Sequence, residues 1–128
     1  MRVLDSDILI GLLRQNKDAV NKLTELHEEN TAITVFTWQE ILFGPSATGN
    51  KKEFAAALEL LNSYRLLNYE KEDVFYAIKI LIHLKKIGHP IGLIDSMISG
   101  ICLRHNAAIV TRNVEHFSRI PMLNVEKC

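Results

Sequence analysis

Apolar side chains recur along this chain in two spacings, and the spacings predict its elements. Short runs rich in β-branched and apolar residues, bounded by polar or turn residues, predict strands. Apolar residues three and four positions apart predict amphipathic helices between those runs. Strands are predicted at residues 2–4, 31–36, 65–69, 107–111 and 123–126, and helices at 6–14, 17–29, 38–43, 51–64, 72–87 and 93–105, with a short helix after residue 113.

The order of these elements indicates one α/β domain over residues 1–128. Strands alternate with helices at both ends of the chain, and two further helices lie between the third and fourth strands. Helices that alternate with strands cover both faces of a mostly parallel sheet. We therefore expect a three-layer α/β/α sandwich. Residues 44–50, which contain Pro45, are predicted to form a loop.

Composition narrows the class of protein. The chain is 48% hydrophobic and 23% charged, which is typical of a folded domain. Its 15 Lys plus Arg equal its 15 Asp plus Glu, which argues against a broad basic surface for DNA but allows a local basic rim or a metal-mediated phosphate contact. Two cysteines, Cys102 in an apolar helix and the last residue Cys128, do not suggest disulfides. With no signal peptide or membrane-length apolar run, we expect a cytoplasmic protein.

Two carboxylates interrupt the apolar run at the start of the chain. Asp5 falls at the end of the first predicted strand, and Asp7 follows two residues later. Burying an ionised carboxylate is costly unless it meets a cation or a metal. For Asp7, capping of the next helix by Ser6 or Asp7 is as good an explanation as a role at a metal site. Capping leaves Asp5 unexplained.

Two more acids, Glu40 and Asp95, can also be explained by their positions at the start of a helix. Glu40 could form a capping box with Thr37, and Asp95 lies in the first turn of an apolar helix, where a carboxylate is mildly favoured. However, ligands of parallel sheets bind beyond the carboxyl ends of the strands. Asp5 ends the first strand, Glu40 follows the second and Asn113 follows the fourth, while Asp95 begins the helix that leads into the fourth. Oxygen ligands without Cys or His suit Mg²⁺ or Mn²⁺, and the usual chemistry of such a site is phosphoryl transfer.

Four segments resemble the PIN domains, especially the VapC toxins of bacterial and archaeal toxin–antitoxin pairs. Residues 3–10 (VLDSDILI) look like "LDTNILI", and residues 33–41 (ITVFTWQEI) are similar to "ISVITLAEL". Residues 88–98 (GHPIGLIDSMI) are similar to "GRPIGPNDLLIA". Residues 109–117 (IVTRNVEHF), followed by 119–121, resemble "LVTRNVRHFERIPGL". The matches run in order over the whole chain.

The resemblance implies a Mg²⁺-dependent endoribonuclease, with Mn²⁺ as a substitute, held silent by a VapB-like antitoxin. Asp5 and Asp95 would be the principal metal ligands, Glu40 would complete an acidic triad, and the Ser6 hydroxyl would support the metal. Water activated by the metal would cleave RNA to a 5′-phosphate and a 3′-hydroxyl. A homodimer without membrane contact is also implied, and the helices at 51–64 and 72–87 could form its interface.

The chain departs from the family pattern in two places. Asp7 stands where the family often has Asn. Asn113 stands where many PIN domains carry a fourth acid, with Glu115 and His116 close behind. One metal ion is therefore as plausible as two, and a catalytically weak RNA- or protein-binding module is the alternative function. The candidates for contact with the RNA backbone are Arg112, Arg14, Lys51 and Lys52.

Overall fold

The backbone forms five parallel strands between two layers of helices in a computed structural model, which describes residues 1–26 and 30–128. The strands are β1 (Arg2–Leu4), β2 (Thr31–Thr34), β3 (Arg65–Leu67), β4 (Ala108–Thr111) and β5 (Val125–Lys127). The helices are α1 (Ser6–Leu13), α2 (Lys17–Glu25), α3 (Val35–Thr48), α4 (Lys51–Asn62), α5 (Lys71–Lys86), α6 (Leu93–Arg104) and α7 (Val114–Phe117).

The sheet has the strand order β3-β2-β1-β4-β5, and all four neighbouring pairs are parallel. Val3 and Leu4 show how it is covered, because successive strand residues point to opposite faces. Val3 packs with residues of α5, α6 and α7, whereas Leu4 packs with residues of α1, α2, α3 and α4. The predicted three-layer sandwich is confirmed. Among the described residues, no helix is both long and apolar enough to span a bilayer.

The second strand and its helix differ from the prediction. The strand ends at Thr34 rather than at residue 36, and Thr34 is the N-cap of α3. Its hydroxyl accepts a hydrogen bond from the backbone N–H of Thr37 at 3.3 Å. Thr37 is therefore not the cap, and the capping box with Glu40 is wrong. The apolar side chains of Val35 and Phe36 resemble a strand in sequence, but they occupy the first helical turn.

Helix α3 also continues through residues 44–48, which were predicted to form a loop. Pro45 lies inside it, and proline lacks the N–H that would bond the carbonyl four residues earlier. The Thr48 hydroxyl donates to the carbonyl of Gly44 at 3.3 Å and also contacts that of Pro45. The helix ends at Gly49, whose φ of 70° is the left-handed conformation that glycine adopts without strain.

Smaller differences concern the second helix and the last strand. Helix α2 ends at Glu25, and the rest of the predicted segment, residues 27–29, lies outside the described residues. Ala19 is buried and packs in one cluster with Leu26 and the partly buried Leu23, whereas Val20 is 41% exposed. Strand β5 begins two residues later than predicted. These shifts leave the topology unchanged.

Candidate active site

Asp5 lies where β1 ends and α1 begins, at the carboxyl edge of the sheet. Its Oδ1 accepts a hydrogen bond from the backbone N–H of Ser6 at 2.8 Å, and Asp5 is the N-cap of α1. The prediction of Ser6 or Asp7 as the cap is wrong. The other carboxylate oxygen, Oδ2, accepts from the hydroxyl of Thr111 at the end of β4, also at 2.8 Å. Two neighbouring strands thus hold this carboxylate in one place.

The surroundings of Asp5 oppose its negative charge. Burial is the largest cause, and it raises the pKa of the carboxyl to about 6. The hydrogen bond from Thr111 acts in the opposite direction, and the charges of Asp7 and Asp95 raise the pKa further. Asp5 is therefore a partly buried carboxylate with two like charges nearby. A bound cation would offset both the cost of burying the charge and the repulsion between the acids.

Asp7 faces the loop after β4 rather than the end of its own helix. Its Oδ2 accepts from the backbone N–H of Arg112 at 3.0 Å and lies 3.4 Å from the Thr111 hydroxyl. Its Oδ1 is buried and has no hydrogen-bond partner within the described chain. An unpaired buried oxygen is costly, and a cation would satisfy it.

Asp95 lies in the first turn of α6, whose N-cap is Gly92. Its Oδ2 is 2.9 Å from Nε2 of His116 on α7. No role for His116 could be predicted from the sequence, because the contact joins residues 21 positions apart on two different elements. His83 and His89, which carry no predicted role, are exposed.

Glu40 lies on α3, on the wall of a groove between α1, α3 and α4. The groove has a volume of about 490 Å³ and also receives Arg14 and Glu53. Its apolar lining includes Ile10, Ile41 and Ala57. Glu40 is exposed. Within residues 1–26 and 30–128, no three His, Cys, Asp or Glu side chains stand close enough together to hold a metal by themselves.

The remaining predicted residues differ in burial and in the contacts that they make. Asn113 is the N-cap of α7, but its side chain makes no capping hydrogen bond and is exposed; its backbone N–H donates to the Thr111 hydroxyl at 3.0 Å. Ser6 is buried. The Arg112 side chain is exposed and lies near Gly11 on α1. Glu115, Arg14, Lys51 and Lys52 are exposed as well.

The donor set at this edge suits a hard divalent cation. It consists of carboxylate oxygens, which Mg²⁺ and Mn²⁺ prefer. The raised pKa of Asp5 and the unpaired oxygen of Asp7 are features that such an ion would remove. The carboxylates of Asp5 and Asp7 are therefore chemically suited to a bound divalent cation.

Comparisons with known proteins agree with this fold. Ribonuclease VapC2 of Rickettsia felis is 28% identical over 127 residues, which cover 97% of this chain and 95% of that protein. The tRNA(fMet)-specific endonuclease VapC of Salmonella typhimurium is 23% identical over 125 residues, with 97% and 95% covered. A chain in the crystal structure of VapBC2 from Rickettsia felis bound to a promoter DNA fragment aligns with a TM-score of 0.87 and 25% identity, over 99% of this chain and 98% of that one. The family model described as PIN domain matches residues 2–122. Since this match spans nearly the whole sequence, the chain belongs to the PIN domain family.

Proposed function

We propose that this protein is a metal-dependent endoribonuclease and the toxin of a toxin–antitoxin pair. The observation that carries the proposal is the partly buried carboxylate of Asp5, held by two hydrogen bonds at the sheet edge, where the charges of Asp7 and Asp95 raise its pKa further. The names of the two similar proteins, a ribonuclease and a tRNA-specific endonuclease, support the same reaction class.

Asp5 and Asp95 would hold Mg²⁺, or Mn²⁺ in its place. Glu40 lies on the wall of the groove between α1, α3 and α4 and forms no ready-made three-acid cluster with them, so it would have to approach the bound ion from α3. Such an ion activates water and neutralises charge on the phosphodiester during hydrolysis. The chain itself orients the ligands: Thr111 and the Ser6 backbone hold Asp5. Asn113 offers a neutral oxygen and the Ser6 hydroxyl a supporting contact. The products would carry a 5′-phosphate and a 3′-hydroxyl.

The proposed substrate is RNA, bound along the carboxyl edge. Arg112 follows β4 and is exposed, and Arg14 lines the groove that contains Glu40. The balanced charge of the chain provides no broad basic surface. In this proposal the two arginines instead contact phosphate oxygens locally. With RNA as the proposed substrate, the proposed place of action is the cytoplasm.

We also propose a VapB-like antitoxin as the protein partner, and a homodimer as the toxin's own assembly. The toxin–antitoxin complexes among the similar structures support the partner. For the dimer, the support is the outer face of α5, where Phe75, Ile78 and Ile82 are 61%, 46% and 51% exposed. Apolar side chains at this spacing form a stripe that a second copy could cover. Light scattering of Ile78→Glu against wild type would test the dimer.

The decisive experiment is expression of wild type, Asp5→Ala and Asp18→Ala, each with and without the small gene product encoded beside the toxin. Asp18 is an exposed acid on α2 and serves as the matched control. We expect wild type and Asp18→Ala to arrest growth and to cleave RNA in the presence of Mg²⁺. Asp5→Ala should do neither, while it still binds the antitoxin.

The binding-module alternative predicts a different pattern. If Asp5→Ala arrests growth as strongly as wild type, inhibition does not depend on cleavage. A thermal melt gives an independent check, since an ion that binds only the folded state stabilises it. An unchanged melting temperature of the wild type in millimolar Mg²⁺ or Mn²⁺ would remove the metal site.

A further inference from the structure

We propose that His116 is a positioning residue of this site, which fixes the carboxylate of Asp95 in the orientation that binds the metal. The inference rests on the proposed function and deepens it. Nε2 of His116 lies 2.9 Å from Oδ2 of Asp95. An ionised carboxylate is only an acceptor, so Nε2 carries the hydrogen in this contact. With Oδ2 engaged, Oδ1 is left for a cation.

The imidazole ring of His116 is held from two sides. Its edge-to-face contact with the Phe117 ring has a centroid distance of 5.3 Å and an interplanar angle of 87°. Phe117 belongs to the core beneath the sheet and is 1% exposed. The His116 side chain is itself only 24% exposed. A ring anchored in this way can fix the carboxylate that it bonds.

The position of His116 also clarifies what the segment after β4 contributes to the site. The predicted ligand of this segment, Asn113, has an exposed side chain that makes no capping hydrogen bond. The same segment instead reaches both principal acids: Thr111 donates to Asp5, and His116 bonds Asp95. Residues 111–116 therefore connect the acid of β1 to the acid of α6. Removing an outer group that orients a metal ligand in this way typically lowers metal affinity or activity by about 10- to 100-fold.

Two substitutions separate the hydrogen bond from the packing of the ring. His116→Phe keeps an aromatic ring against Phe117 but has no N–H. His116→Gln loses the ring and places an amide N–H at about the reach of Nε2. His83→Phe, at an exposed histidine of α5, is the matched control. Melting curves without metal establish that each variant is folded.

The measurement is the dissociation constant for Mn²⁺ in the absence of RNA, by calorimetry or electron paramagnetic resonance. We expect His116→Phe to weaken Mn²⁺ binding by about tenfold or more, and His116→Gln to stay within a small factor of wild type. His83→Phe should not change it. In cleavage assays the same order should appear in the Mn²⁺ concentration needed for half-maximal rate.

Two results overturn this inference alone. If His116→Phe binds Mn²⁺ as tightly as wild type while His116→Gln does not, the ring packing is what matters. If neither substitution changes the affinity, His116 does not act on the site, and in both cases wild-type cleavage leaves the proposed function intact. If the wild type itself neither binds Mn²⁺ nor cleaves RNA, the proposed function fails and this inference fails with it.

Discussion

The hydroxyl of Thr111 donates a hydrogen bond to the carboxylate of Asp5 across 2.8 Å, although the two residues are 106 positions apart in the chain. The same hydroxyl oxygen accepts from the backbone N–H of Asn113 at 3.0 Å. Thr111 is fully buried at the end of β4. This single hydroxyl therefore sets the orientation of the first acid and the path of the chain toward α7.

Replacing Thr111 with Val should remove both bonds while the shape of the side chain is kept. The free energy of unfolding should fall by about 1–2 kcal/mol, because the backbone N–H of Asn113 and the Asp5 oxygen lose a buried partner. The pKa of Asp5 should rise further, since the hydrogen bond now lowers it. Urea unfolding at pH 7 and the Mn²⁺ dissociation constant measure the two effects. Thr111→Ser, which keeps the hydroxyl, should lie much closer to wild type in both.

Asp5→Asn should stabilise the metal-free protein at pH 7. The carboxyl of Asp5 has a pKa of about 6 in the fold, whereas an unfolded chain has an Asp pKa of about 3.9. The metal-free wild type therefore loses stability as the pH rises from about 4 to 6, and the loss persists above that window. The gain from Asn should be about 1–3 kcal/mol at pH 7 and close to zero near pH 4.

Urea titrations of both proteins at the two pH values, without divalent metal, measure this difference. The same substitution should abolish the rise in melting temperature that Mn²⁺ gives the wild type. A variant less stable than wild type at pH 7 would show that the charge of Asp5 does not oppose folding.

Gly100→Ala should destabilise the protein although alanine is the better helix former. A Cβ at this position of α6 would lie 2.8 Å from the backbone oxygen of Asp73 and 3.2 Å from the backbone nitrogen of Ala77. Both atoms belong to the backbone of α5, so the two helices would have to separate. Such overpacking costs about 1–3 kcal/mol, against a gain of about 1 kcal/mol from helix propensity. A lower melting temperature confirms the close approach, and a higher one contradicts it.

Arg104→Met should be among the most destabilising changes outside the site. The Arg104 guanidinium pairs with Asp73, whose carboxylate is fully buried and also accepts from the backbone N–H of Glu70 at 2.8 Å. Without Arg104 this charge is left uncompensated, at a cost of about 3–5 kcal/mol. The double substitution Asp73→Asn with Arg104→Met should recover much of the loss, because the amide oxygen can still accept from Glu70. Denaturant melts of wild type, the two single variants and the double variant test this, and losses of the two single variants that simply add in the double variant would contradict it.

Much of the fold follows from the sequence because apolar spacing is a local signal. The β-branched runs around residues 3, 33 and 109 predict buried strands whichever neighbours they have. The beginning of α3 could not be located in this way. Thr34 and Thr37 are both good N-caps by residue type, and Val35 and Phe36 suit a strand or a buried helical turn equally well. Which threonine caps the helix depends on where β2 stops pairing with its neighbours.

In the site, too, local sequence signals could be predicted and contacts between distant elements could not. Asp5 and Asp95 were singled out because an acid inside an apolar run is conspicuous and the family resemblance named both, and their role as metal ligands stays a prediction. Thr111 and His116 could not be singled out, since each is ordinary in its local sequence and becomes informative only through a partner on another element. The sequence by itself indicated that Asp5, an acid in an apolar run, needs a counter-charge, but it did not reveal the fully buried Asp73. Tertiary structure alone decided which neutral groups hold them, because hydrogen bonds depend on distances between elements that are far apart in the chain.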